Sequence, residues 1–189
     1  MTAITTTVTR RRFGAMATGA LLAGGLGGCA TPDPLEADDL PAMGRFRLVS
    51  PIVVAKDAKR VPPSRAASLA DWERVMEDEL TRRFGRYDGD RGYYIALAID
   101  GYALAPPGIP IVLTPKSILV VTANLWTAAP QEKVLGPEQI VTFEGAEGFL
   151  VGSGLRKDGD AQMRTLARNM AAKVQRWILE TPAVVGLPA

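Results

Sequence analysis

The side chains that could do chemistry are few, because the 189-residue sequence holds one cysteine and no histidine. Without an imidazole, histidine-based triads and histidine-ligated metal sites are excluded, and Cys29 alone cannot build an ordinary zinc site. Asp100, Glu144 and Glu147 are candidates for acid–base hydrolysis, which needs two carboxylates at a defined separation. We predict no metal, no cofactor and no enzymatic activity, and keep a carboxylate-dependent hydrolase as an alternative function.

A second candidate is Gly152-Ser153-Gly154, inside the glycine-rich segment 145–159. It lacks the Gly-Lys-Ser/Thr of a phosphate loop, and a serine nucleophile of the Ser-His-Asp type would need a histidine. We interpret the segment as a connection between elements.

Cys29 ends a stretch with the composition of an export signal. Arg10, Arg11 and Arg12 precede the 15 small or apolar residues Gly14–Gly28, and Cys29 follows directly. A basic start, an apolar middle and a small-residue end are typical of such signals. The run is shorter than the roughly 20 residues of a transmembrane helix. We therefore predict that residues 1–28 are removed, with a retained transmembrane helix as the alternative.

Two motifs in this stretch resemble known signals. Thr9-Arg10-Arg11-Arg12-Phe13 resembles the twin-arginine signal, in which Arg10, Arg11 and Phe13 would be recognised, with an ordinary Sec signal as the alternative. Leu26-Gly27-Gly28-Cys29 resembles a bacterial lipobox, which implies a diacylglycerol on the Cys29 thiol and an acylated amino terminus (palmitate, for example). Two or more acyl chains anchor a protein stably to a membrane. Ala30, where inner-membrane lipoproteins of enteric bacteria have Asp, resembles outer-membrane sorting.

The charge of the remaining chain argues against nucleic acid as a partner. Three of the 22 basic residues lie in the signal, which leaves 19 basic against 20 acidic side chains, or −1, after residue 28. A nucleic-acid-binding domain usually carries a basic patch or stripe. The expected partners are instead the membrane, through Cys29, and an envelope protein or lipid.

The domain boundaries follow from composition. Residues 29–44 are acidic, rich in proline and without periodicity, which indicates a flexible tether. Residues 45–181 form the single predicted domain, and we expect the tail 182–189 to be disordered.

Apolar periodicity predicts six elements in this domain. Strands are expected at 46–54, 92–103, 116–127 and 138–144, with Val141 and Phe143 facing inward in the last. Helices are expected from Ser68, a capping residue, to Gly85, and at 160–180. The first buries a stripe that includes Leu69, whereas Arg83 and the acidic group 77–79 lie on its solvated side.

The order β-α-β-β-β-α predicts an α+β fold: a four-stranded, mainly antiparallel sheet with two helices on one face. The other face mixes polar and apolar side chains, as in a sheet that is covered on one side only.

Segment 104–115, between two strands, is apolar and rich in proline. Ile109, Ile111, Val112 and Leu113 are candidates for contact with a partner, although the segment could instead fold back on the domain.

The layout of residues 26–180 resembles envelope lipoproteins of the auxiliary type, such as LPS-assembly lipoproteins and auxiliary lipoproteins of ABC transport systems. The stretches 150–155 and 162–169 are similar to uncharacterised alphaproteobacterial lipoproteins. This resemblance implies a non-catalytic auxiliary or binding module at the periplasmic side of the cell envelope, and Ala30 favours the outer membrane over the inner. A purely structural tether is a further alternative.

Overall fold

The strands and helices of the described residues follow the order that the sequence predicts, apart from a short additional strand and a 3-10 helix near the end. The computed structural model describes residues 41–106, 117–144 and 159–187. The strands are β1 (Phe46–Val54), β2 (Lys59–Arg60), β3 (Arg91–Ala103), β4 (Ile118–Thr127) and β5 (Lys133–Phe143). The helices are α1 (Leu69–Phe84), α2 (Gly159–Leu179) and a 3-10 helix at Pro182–Val185.

The sheet has the strand order β1-β3-β4-β5. β1 runs parallel to β3 because the chain crosses over through α1 before β3 begins, whereas β3, β4 and β5 pair antiparallel. The short β2, which the sequence did not predict, pairs parallel with the end of β3. The α+β class with two helices on one face of a mainly antiparallel sheet is confirmed.

The core lies between the sheet and the two helices. α1 packs on β1, α2 packs on β4 and β5, and the helices pack on each other. The strands contribute Tyr93, Ile95, Leu97, Leu119, Val121 and Leu125, all at most 2% exposed, and the helices contribute Trp72, Met76, Leu80, Phe84, Leu166, Met170 and Val174, none of them exposed. We call the side of the sheet that carries these strand residues the inner face.

The first helix begins as predicted but buries a different set of residues. The Ser68 Oγ accepts a hydrogen bond from the Asp71 N–H at 3.4 Å, which caps the first turn. Leu69, predicted to be buried, is 36% exposed, and it is the first residue of the helix, where fewer neighbouring turns surround a side chain. Arg83 and Glu79, predicted to be solvated, are 2% and 8% exposed. Arg83 is covered because α2 crosses that side of α1, and Glu79 accepts hydrogen bonds from Arg82.

The orientation predicted for β5 was wrong by one residue. In its pairing with β4, Ile140 lies opposite Val121 and Thr142 opposite Leu119, so these two side chains face inward. Val141 and Phe143 face outward, and Phe143 is 50% exposed. Adjacent residues of a strand point to opposite faces, and both alternating sets of β5 contain apolar residues, so pairing with β4 decides between them.

Both ends of the described domain are packed rather than free. The expectation of a disordered tail was wrong for residues 182–187, since Val185 is fully buried. The Arg45 N–H donates to the Val185 carbonyl at 2.7 Å. Met43, inside the predicted tether, is 2% exposed. The described part of the chain contains no helix long and apolar enough to span a membrane.

Candidate functional site

Most of the residues that the sequence singles out lie outside the described part of the chain. These are Arg10, Arg11, Phe13, Leu26, Gly27, Gly28, Cys29, Ile109, Ile111, Val112, Leu113, Glu147 and Ser153. Their roles stay predictions. The described residues offer a different feature, which is the face of the sheet opposite the helices.

This outer face is defined by the strand pairing. Its members are Ile52 and Val54 of β1; Tyr94, Ala96, Ala98 and Asp100 of β3; Ile118, Val120, Thr122, Asn124 and Trp126 of β4; and Gln139, Val141 and Phe143 of β5. Ile52 and Val54 are 46% and 41% exposed. The predicted mixture of polar and apolar side chains on this face is confirmed, and within residues 41–106, 117–144 and 159–187 both long helices pack on the inner face.

A groove runs along β3 in the middle of the outer face. Its floor is made by the small side chains of Ala96 and Ala98, and Ala98 is exposed. Ile52 and Val54 lie beside these alanines on β1, while Asn124 and Thr122 lie beside them on β4. Because neighbouring strands are about 4.8 Å apart, the larger side chains form walls on both sides of the floor.

The two ends of the groove differ chemically. At one end, the aromatic residues Tyr94 and Trp126 pair with each other across β3 and β4. At the other end, Asp100 is held in place: its Oδ2 accepts hydrogen bonds from Thr122 Oγ1 at 2.8 Å and from Gln139 Nε2 at 3.3 Å. The groove therefore leads from an amphipathic aromatic end to a fixed carboxylate.

A hollow of about 460 Å³ opens beside Asp100, within the size range of small-molecule sites. It is lined by Val54, Asp57, Lys59, Ala98, Ile99 and Asp100. Among the described residues, no ion pair joins Lys59 to either aspartate. One ammonium group and two carboxylates thus lie at the groove's polar end, with no ion pair between them among the described residues.

The predicted carboxylate candidates Asp100 and Glu144 do not come together. The Glu144 Oε2 accepts a hydrogen bond from Ser117 Oγ at 2.9 Å, at the start of β4, whereas Asp100 is held by Thr122. Ser117 and Thr122 are five residues apart, which is about 16 Å along an extended strand. No group of three acidic, cysteine or histidine side chains in the described ranges could hold a metal ion.

The described ends of the predicted partner-binding segment are held close to the start of α2. The Ala105 N–H donates to Ser117 Oγ at 3.1 Å, so the residues on either side of 107–116 are joined. The Ala105 carbonyl accepts from Gln162 Nε2 at 3.3 Å. The described residues that flank this segment, Ala105 and Ser117, therefore lie together near the start of α2.

A buried polar network lies at the point where the tether meets the domain. Arg83 Nη1 donates to Gln175 Oε1 at 2.9 Å, and Gln175 Nε2 donates to the Tyr87 hydroxyl at 2.6 Å. The Tyr87 hydroxyl in turn donates to the Pro41 carbonyl at 3.0 Å. Burial raises the pKa of Tyr87, while its hydrogen bond with Gln175 opposes that rise. The network connects α1, α2 and the last residues of the tether.

The sequence indicated part of this site. It predicted a sheet face that mixes polar and apolar side chains, and it singled out Asp100. It did not reveal Asp57 and Lys59, because they reach Asp100 only through the parallel pairing of β2 with β3. A charged turn directly before a two-residue strand is too short a signal to predict such a pairing.

No protein-family model and no curated protein matches the sequence. Three solved structures show remote likeness. A DUF330 family protein from Xanthomonas campestris is 13% identical, with a TM-score of 0.41 over 75% of this chain and 89% of its own. An uncharacterised protein has 11% identity and a TM-score of 0.39 over 76% and 95%. A minor lipoprotein from Acinetobacter baumannii has 14% identity and a TM-score of 0.28 over 70% and 94%. These likenesses are too remote to carry an argument about this chain.

Proposed function

We propose that this protein is a lipid-anchored, non-catalytic binding module of a bacterial cell envelope. In this proposal the export signal, of the twin-arginine type, directs the chain across the inner membrane, and the acylated Cys29 anchors it with the domain facing the periplasm. The outer membrane is the proposed location. The module assists envelope assembly or transport by binding an envelope protein or lipid.

The observation that carries the binding role is the open outer face. The outer face carries the exposed apolar side chains of Ile52 and Val54 on β1 and of Phe143 on β5, and the held Asp100 lies on β3 between these two strands. The fixed carboxylate supplies a polar contact that could select among ligands.

The anchor is tested by the mass of the amino-terminal peptide after processing. We expect a peptide that begins at Cys29 and carries three acyl chains or two, and a Cys29→Ser variant that leaves the membrane fraction. Arg10→Lys with Arg11→Lys tests the pathway: twin-arginine export should stop, whereas Sec export should continue. An unmodified Cys29 in a membrane-free protein would contradict the anchor.

The binding role is tested by photo-cross-linking from the outer face in intact cells. A photoreactive residue at Val120 is expected to yield discrete adducts, whereas one at the exposed Asp78 of α1 serves as the matched control. Equal labelling at both positions would contradict a binding role for the outer face.

One observation favours the hydrolase alternative, which is that Asp57 and Asp100 line the same hollow. Acid–base hydrolysis by two carboxyl groups usually relies on an apolar setting that keeps one of them protonated. Asp57 is exposed to water, and Lys59 lies in the same lining, so this pair is better suited to binding.

A further inference from the structure

We propose that the groove and its hollow hold one membrane lipid with a zwitterionic head group. The head group lies in the hollow beside Asp100, and one acyl chain lies over Ala96 and Ala98 toward Trp126. This inference rests on the binding role proposed above and names the class of ligand.

The charges of the hollow select the head group. Lys59 can bind an anionic group such as a phosphate, while Asp57 and Asp100 can accept hydrogen bonds from an ammonium group. Asp100 Oδ2 is occupied by Thr122 and Gln139, and no other hydrogen bond from a described residue reaches its Oδ1. A head group that carries one phosphate and one amine matches this set, whereas a purely anionic one would face two carboxylates.

The dimensions of the groove fit an acyl chain. Asp100 and Tyr94 are six residues apart on β3, which corresponds to about 20 Å along the strand. One acyl chain spans half of a bilayer's hydrocarbon core, or about 15 Å. The alanine floor on β3, between Ile52 of β1 and Thr122 of β4, leaves room for a narrow apolar chain. Trp126 offers an amphipathic ring at the end of the groove that lies away from Asp100.

A second copy of the chain fits this face less well. Four strands about 4.8 Å apart and roughly 28 Å long present about 500 Å². A stable protein interface usually covers about 800 Å² on each partner. An added peptide strand would gain little, since a sheet face offers side chains rather than the backbone groups that an edge provides.

The test uses fluorescence quenching of Trp126 in the full chain carrying Cys29→Ser, which has no acyl group of its own. The probe is lysophosphatidylethanolamine with a brominated acyl chain, added below its micelle concentration. Trp72 is fully buried, and a Trp126→Phe variant gives the contribution of the other two tryptophans. We expect saturable quenching that is lost with Trp126→Phe.

Head-group selectivity is measured with brominated probes that carry a phosphate only, a carboxylate only or an uncharged glycerol. We expect the phosphate-only and carboxylate-only probes to bind roughly ten-fold more weakly than the zwitterionic probe, as loss of one charge-assisted contact predicts, and the glycerol probe, which loses two, roughly a hundred-fold more weakly. Lys59→Ala should weaken the zwitterionic probe by a similar factor. Asp100→Asn should remove its advantage over the phosphate-only probe.

The groove is tested with Ala96→Leu and Ala98→Leu, which fill the floor from the solvent side, and with Ala70→Leu on exposed α1 as control. The groove variants should lose quenching while they unfold at the same urea concentration as the control. Equal quenching by all probes, or unchanged quenching in the groove variants, would overturn the proposal. The proposal would also be overturned if sedimentation shows that the chain dimerises through the face that carries Trp126, or if the protein hydrolyses the probe. If Cys29 is found to be lipidated but the probe does not quench Trp126, the proposal of a bound lipid is overturned and the proposal of a lipid anchor is not.

Discussion

At the scale of single residues, the Arg83 network shows how burial changes the role of a polar side chain. Arg83 lies at a position that helical periodicity assigns to solvent, yet it is almost fully buried and donates to Gln175. A buried polar group that loses its partner costs more than an exposed one, because water does not replace the lost hydrogen bond.

We therefore predict that Gln175→Leu lowers the free energy of unfolding by about 2–4 kcal/mol. The substitution removes the oxygen that accepts from Arg83 and the N–H that donates to Tyr87. Urea unfolding measures the loss. The control is Asp90→Asn, which breaks the exposed pair with Arg45 and should cost less. An equal cost for the two variants would contradict the importance of burial.

The tyrosines give the protein a predicted alkaline sensitivity. Burial raises the pKa of Tyr87 and of Tyr93 in the folded state. Above pH about 10 the unfolded chain therefore releases protons that the folded chain retains, so stability is fully present below that pH and falls as pH rises. Urea unfolding at pH 8 to 11 should show this decline, and Tyr87→Phe should make it shallower. A decline that is unchanged in the variant would refute the role of Tyr87.

At the scale of elements, the sequence predicts what local patterns determine. The N-cap of α1, the bounds of β1 and the alternation of β3 as far as Asp100 follow from residues close together in the chain, and all three are confirmed. Strict alternation would place Tyr102 on the same face as Asp100, but a bulge between Ile99 and Gly101 turns Tyr102 into the core, where it is 3% exposed. Arg83 was assigned to solvent because its partner Gln175 lies 92 positions away in the sequence. The faces of β5 were exchanged because both of its alternating sets contain apolar residues. The hollow depends on pairing between β2 and β3, which no local pattern encodes.

The register of β5 makes a direct prediction. Ile140→Ala should lower the free energy of unfolding by about 2–4 kcal/mol, because it leaves a cavity against Val121 and the helices. Val141→Ala, on the outer face, should cost less than about 1 kcal/mol. Urea unfolding of the two variants compares the faces, and the opposite order would place the strand one residue out of register.

At the scale of the whole molecule, the two ends of the domain are joined. The Arg45 N–H donates to the Val185 carbonyl at 2.7 Å, and the Tyr93 hydroxyl donates to the Val184 carbonyl at 2.7 Å. Gly44 has a positive φ of 54°, and a Cβ there would lie 2.3 Å from the Val185 carbonyl oxygen. The tail thus holds Gly44 and Arg45, close to the start of the described part of the chain.

Removing the residues after Thr181 should therefore destabilise the whole domain, because these residues are packed against it. The loss of the buried Val185 side chain and of two hydrogen bonds predicts a decrease of about 3–5 kcal/mol in the free energy of unfolding. Gly44→Ala should destabilise the same junction without shortening the chain, because alanine disfavours a positive φ and meets the Val185 carbonyl. Ala183→Ser, at an exposed position of the tail, is the control and should change stability by less than about 0.5 kcal/mol. If the truncated chain unfolds at the same urea concentration as the full chain, the tail does not contribute to the stability of the fold.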